Sequence, residues 1–200
     1  MFDLLCILLT IHDRPIDFPA YITAVATAMG VLVAFMGLDA WKKQLKGKTD
    51  YELARRLLKA AYKLRNALSY VRNPWIPLAE SIAALEAMGY SKDDYSDHRK
   101  SNGAVYTRRW EKVKEASADL DLEALEAEVS WGNEAAALLT GLYRLRGRLL
   151  QHVDRFIQND EHLQADRDVL YEHGEDDSYT KEVQAAISKF EDYLRPHLNG

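Results

Sequence analysis

The side chains that could do chemistry fall into three groups. The densest lies between Asp160 and Asp177, where His162, Asp166, Asp168, Glu172 and His173 sit among further acids. His162 and Asp166 are four residues apart, so on a helix they would share a face, as metal ligands do. The sequence carries no H-E-x-x-H, no paired Glu-x-x-His and no second ligand-bearing segment. An acidic solvated loop is therefore expected here, with no metal and no other cofactor. The second group is Arg144, Arg146 and Arg148, followed by His152 and Asp154. Two residues apart on a helix, His152 and Asp154 point about 160° away from each other, so they form no dyad by themselves. The arginines would hold an anion only where other elements converge, and ion pairs with Glu123, Glu126 and Glu128 are expected instead. No Gly-rich phosphate loop, G-x-S-x-G or Cys/His arrangement occurs. The single cysteine, Cys6, excludes an internal disulfide and a cysteine zinc cluster. No enzyme is expected from these residues.

The third group is cationic. Lys42, Lys43, Lys46 and Lys48 are followed by Arg55, Arg56, Lys59, Lys63, Arg65 and Arg72. Residues 42–72 carry a net charge of +8, between -3 over residues 1–41 and -10 over residues 73–200, although the chain totals only -5. A Lys or Arg close to an anionic leaflet gains about 1 kcal/mol. The four lysines are thus expected to touch anionic lipid, whereas Arg72 would do so only on a helix lying along the membrane. Tyr51, Tyr62 and Tyr70 interleave with the cations but form no single stripe, and the remainder is acidic, so no nucleic-acid partner is expected.

These groups hang on an apolar segment. Phe18 to Leu38 runs 21 residues without a charge. As a helix it spans about 30 Å, the thickness of a bilayer's hydrocarbon core. Pro19 stands at its entrance, where a missing N–H does no harm, and Tyr21 and Trp41 lie near its ends as interfacial aromatics do. The sequence predicts a short extracytoplasmic tail (1–17), a transmembrane anchor (18–41), a basic juxtamembrane segment (42–48) and a cytoplasmic helical domain (49–200). Orientation follows from the flanks: Arg14 alone precedes the span and four lysines follow it, so the N-terminus is expected outside an inner (plasma) membrane. Thr23, Thr27, Gly30, Ala34 and Gly37 recur at spacings of four, three, four and three. Such small residues let two spans approach closely, which would give a homo-oligomer. The apolar run 2–11 is too short to cross and suggests no chemistry.

The fold class expected after the span is all-α, a helical bundle with a long antiparallel pair. Thr49-Asp50-Tyr51-Glu52 reads as a capping box opening a helix that ends near Arg72, before Asn73-Pro74. Its apolar positions, Ala54, Leu57, Ala61, Leu64, Leu68 and Val71, alternate by three and four. A short helix is expected from Leu78 to Met88, stopped by Gly89, then a polar loop over 90–103. A long helix from Ala104 to Ser130 follows, a turn at Trp131-Gly132-Asn133, and a helix carrying Ala135, Leu138, Leu142, Leu145, Leu149, Val153 and Phe156. A helical piece is placed around Leu163 to Tyr171, and a last helix carries Val183, Ala186, Ile187, Phe190 and Leu194 before stopping at Pro196. Trp110 and Trp131 are assigned to the core; Trp75, in Asn73-Pro74-Trp75-Ile76-Pro77, is placed in packing under the bundle, with contact to the membrane or a role as a partner anchor as the alternatives.

The strings WKKQLKGKTDYELARRLLKAAYKLRNAL (41–68), EAEVSWGNEA (126–135) and YTKEVQAAISKFEDYLRPHL (179–198) resemble a family of bacterial membrane-anchored helical proteins. The likeness covers residues 39–200. It implies a short N-terminal anchor and a cytoplasmic helical domain, and it brings no activity and no functional residues. The sequence thus points to a membrane-tethered interaction or scaffold module with the bilayer and an unidentified protein as partners. The alternative is a membrane-acting effector of a stress or phage-defence type, whose spans self-associate.

Overall fold

The structure is a computed structural model that describes residues 18–158, 164–174 and 177–199. Its elements are α1 (Phe18–Arg72), α2 (Leu78–Ala87), a 3₁₀ turn (Lys92–Ser96), α3 (His98–Trp131), α4 (Glu134–Gln158), α5 (Gln164–Leu170) and α6 (Ser178–Asn199). Among the described residues there is no strand. The tail expected at 1–17 and His162 lie outside the described residues. The chain divides into two units, Met1–Lys46 and Gly47–Gly200.

In the first unit α1 offers no buried side chain from Phe18 onward. One stretch of this helix is long and apolar enough to cross a membrane, with mean hydropathy 1.9 and none of it buried. The two threonines on it are satisfied within the helix: Thr23 donates to the Pro19 carbonyl and Thr27 to the Thr23 carbonyl, each at 2.8 Å.

In the second unit the alternation read from the sequence becomes a core. Ala54, Leu57, Ala61, Leu64, Leu68 and Val71 are all buried, and they share one cluster with Tyr106, Val113 and Leu120 of α3, Leu142 and Leu149 of α4, and Ile187 and Phe190 of α6. Side-chain pairs set the helix directions. Asp50 of α1 meets Trp131 of α3 while Lys63 meets Asp119, so ascending positions on one match descending positions on the other. Tyr143–Asp121 and Tyr106–Phe156 show the same antiparallel sense for α3 and α4. Tyr62–Glu191 and Arg72–Thr180 show it for α1 and α6. A smaller cluster of Ala84, Leu85, Ala104 and Val105 joins α2 to the start of α3.

Several boundaries differ from the sequence reading, each for a local reason. The capping box at Thr49 opens no helix, because α1 is already running through Gly47. A propagating helix needs no new nucleus, and one interior glycine costs only about 1 kcal/mol. The polar stretch 90–103 is not a loop throughout. Ser91 and Asp94 form a reciprocal cap on the 3₁₀ turn, and Asp97 then accepts from the amides of Arg99 (3.1 Å) and Lys100 (3.2 Å), starting α3 at His98. Gly89 (φ 79°) and Gly132 (φ 86°) end α2 and α3 as read. α6 does not stop at Pro196 but continues to Asn199, and its final turn is braced by His197 stacked on Trp131 at 4.1 Å.

Candidate functional site

Asn73-Pro74-Trp75-Ile76-Pro77 links α1 to α2. Its carbonyls lie outside any helix, and its two prolines contribute no N–H, so donors must come from elsewhere. Arg109 of α3 supplies them. Its side chain is buried, and Nη1 donates to the Asn73 carbonyl (2.6 Å) and Nη2 to the Trp75 carbonyl (3.0 Å). The same guanidinium grips Glu80 of α2 through its Nε–Nη2 edge, Nε to Oε1 at 2.8 Å and Nη2 to Oε2 at 2.9 Å. Tyr70 donates its hydroxyl to Glu80 at 2.8 Å and lays its ring under Arg109. Arg109 holds the Glu80 carboxyl below the usual range against the opposing effect of burial, and the Tyr70 hydroxyl assists.

What this lock holds in place is Trp75. Trp75 is 72% exposed, so of its three sequence readings packing in the core is corrected. The linker's carbonyls face Arg109 and the ring is left outside. Trp75 borders an open groove of about 530 Å³ with Tyr70, Pro77, Ala83, Arg108 and Lys112. Arg108 and Lys112 are exposed, and Lys112 Nζ lies 4.2 Å from the Tyr70 ring centroid. An exposed aromatic on a held backbone, beside two cations, can bind an apolar or anionic surface. The Tyr70 hydroxyl and the Glu80 carboxylate, which also line it, are both engaged in the Arg109 lock. The sequence signal for it was the Pro-flanked linker, whose carbonyls needed a donor.

A second buried arginine closes the other side of α1. Arg72 sends Nε to the Val169 carbonyl (2.6 Å), Nη1 to Thr180 Oγ1 (2.8 Å), and Nη2 to the Tyr171 carbonyl (2.9 Å) and to Asp177 (2.6 Å), with Tyr179 against its face. Arg72 and Asp177 are therefore structural, not a lipid contact and not part of a solvated acidic loop. Asp177 serves twice: Oδ2 takes Arg72, and Oδ1 accepts from the Thr180 amide at 3.2 Å, capping α6. Burial pushes the Asp177 carboxyl up, but Arg72 and the amides of Thr180 and His173 hold it below its ordinary value.

The remaining sequence candidates scatter. Asp166 is buried and accepts from His152 Nδ1 (2.6 Å) and Arg155 Nη2 (3.2 Å), tying α5 to α4. Arg155 Nη2 also lies 2.9 Å from His152 Nδ1, and among the described residues no hydroxyl or thiol joins this cluster. Among them, too, no group of three or more His, Cys, Asp or Glu could hold a metal. Glu123 and Glu126 pair with Arg56 of α1, not with the α4 arginines as expected; Arg148 bonds Glu182 at 3.0 Å and Arg146 covers the Tyr143 ring. Arg56 and Lys63 are thus taken by α3. Lys42, Lys43, Lys46 and Lys48 are all exposed, Lys48 standing 3.9 Å from Glu52. Thr23, Thr27, Gly30, Ala34 and Gly37 fall within an arc of about 80° on one helix face. Nothing lies within 4 Å of a side chain added at Gly30 or Gly37. No protein family, curated protein or solved structure matches the chain.

Two outcomes follow for stability. Breaking a buried ion pair from one side costs about 3–5 kcal/mol. Asp177→Ala should lower the unfolding free energy by about that much in urea titrations followed by circular dichroism. Asp177→Asn, which can keep the cap, should cost less. Because Glu80 and Asp177 have depressed pKa values when folded, the stability they add is full above their unfolded values near about pH 4 and is lost as pH falls below them. The melting temperature should drop on acidification through that window, and Glu80→Gln should flatten the drop while lowering the neutral-pH value.

Proposed function

We propose that this chain is a membrane-tethered, non-enzymatic helical module that holds a docking surface beside a bilayer. The observation that supports it is the apolar stretch of α1 with none of its surface buried. Water does not tolerate such a helix face, and no core covers it. A bilayer takes it at its own thickness. The N-terminus lies outside and the helices after the span lie in the cytoplasm, where Lys42, Lys43, Lys46 and Lys48 meet anionic headgroups. There the helices form a bundle that mounts Trp75 on a rigid lock, the arrangement of an anchor residue for a protein partner. Tethering raises the effective concentration of such a partner at the membrane. The effector reading is weaker on one point: Thr23 and Thr27 spend their hydroxyls within their own helix, which leaves the span little polar surface to line a pore.

The test is fractionation. The full-length chain should stay with membranes washed in alkaline carbonate. A charge at the centre of a span costs about 2.5–3.5 kcal/mol, so Met29→Lys together with Val31→Lys should shift much of it to the supernatant. Wild-type protein recovered in the supernatant would remove the reading. A phosphatase fused at the N-terminus should be active outside the cytoplasm, and the same enzyme at the C-terminus should not.

A further inference from the structure

α3 carries two apolar stripes, and only one is used. Val113, Ala116, Leu120, Ala124 and Ala127 face the core. On the opposite side, Ala118, Leu122, Leu125 and Val129 recur at spacings of four, three and four. Leu122 is 68% exposed, Leu125 61% and Val129 83%. At 1.5 Å per residue this second stripe is about 16 Å long, the seam a partner helix uses. Three large apolar side chains left in water at seam spacing are not the scattered leucines of an ordinary surface.

The flanks say what fits there. Residues 115–130 contain six carboxylates and no Lys or Arg. Asp121 and Glu128 border one side of the stripe, Glu115 and Glu126 the other. Glu115 and Glu128 take part in no ion pair among the described residues, whereas Glu126 is bound to Arg56 and Asp121 accepts from Tyr143. Three cations approach from other helices, Arg56 already held by Glu123 and Glu126, Lys63 by Asp119, and Arg146 stacked on Tyr143. The surface around the seam stays anionic. A second copy of α3 would set carboxylates against carboxylates, and an anionic membrane would repel them. We infer that this face of α3 is a docking seam for a cationic amphipathic helix of a partner protein, with apolar residues at seam spacing and Lys or Arg beside them. The seam goes beyond the Trp75 groove and does not depend on whether α1 crosses a bilayer.

The probe is a synthetic helical peptide with Leu at the seam positions and Lys at the flanks. Its fluorescence anisotropy is followed against the full-length protein in zwitterionic nanodiscs, with empty nanodiscs as the blank. The peptide should bind, binding should weaken as salt is raised, and the same peptide with Glu at the flanks should not bind. Replacing Leu122, Leu125 and Val129 together by Ser should weaken binding at least about tenfold with helix content unchanged. Glu115→Lys with Glu128→Lys should reverse the preference toward the acidic peptide. No binding, equal binding of both peptides, or binding that ignores the Ser replacements overturns the inference. So does a homo-oligomer that the Ser replacements dissolve, or recruitment of the seam to anionic vesicles. Membrane retention of the same variants is scored separately, so a failure of the seam and a failure of the anchor give different results.

Discussion

An apolar helix surface that no core covers must be given an apolar medium, and the account rests on that constraint. The first part of α1 presents such a surface and leaves none of its apolar stretch buried. The second part of the same helix shows the contrast. From Leu53 onward, its apolar residues lie at three-four spacing and vanish into a core shared with α3, α4 and α6. One helix therefore shows two kinds of apolar surface, one uncovered and one packed into a core, and sequence composition decides which part carries which. Before Asp39 the side chains are apolar on every side, whereas after Thr49 they are apolar on one side only.

Within the folded helices two guanidinium groups do what hydrophobic packing cannot. The chain leaves α1 at Arg72 and must turn into α2, and it must also close α5 onto α6. Both connections expose carbonyls to the interior, and a buried carbonyl without a donor costs about 1–3 kcal/mol. Arg109 answers the first need at Asn73 and Trp75, and Arg72 answers the second at Val169 and Tyr171. Each is neutralised by one carboxylate, Arg72 by the buried Asp177 and Arg109 by the partly buried Glu80. A consequence of the first lock is that the backbone of Trp75 is held while its indole stands outward.

The core was legible because it depends on period: all six apolar positions of α1 read from spacing are buried, and Leu53, Ala60 and Ala67 are buried beside them. The glycine stops at Gly89 and Gly132 were legible for a similar reason, since a positive φ is a local demand. Trp75, Arg72, Arg109 and Asp177 were not, because their placement is decided by groups far away in sequence. Arg109 finds its carbonyls 34 and 36 residues back, and Arg72 finds Asp177 105 residues on. Charge alone suggested that Arg72 and Asp177 belong to solvent. Counting the carbonyls stranded by Pro74 and Pro77 would have asked for a buried donor without saying which arginine supplies it.

The constraint on α1 is tested most directly by its depth. With Cys6 replaced by Ser, single cysteines introduced one at a time from Phe18 to Lys48 would be probed with a membrane-impermeant thiol reagent in intact and in opened membranes. The account predicts a protected run of roughly 20 residues, as a bilayer core requires, with Lys42 to Lys48 reached only after the membrane is opened. Uniform labelling along the whole segment, or labelling of the lysine positions from outside, would contradict it.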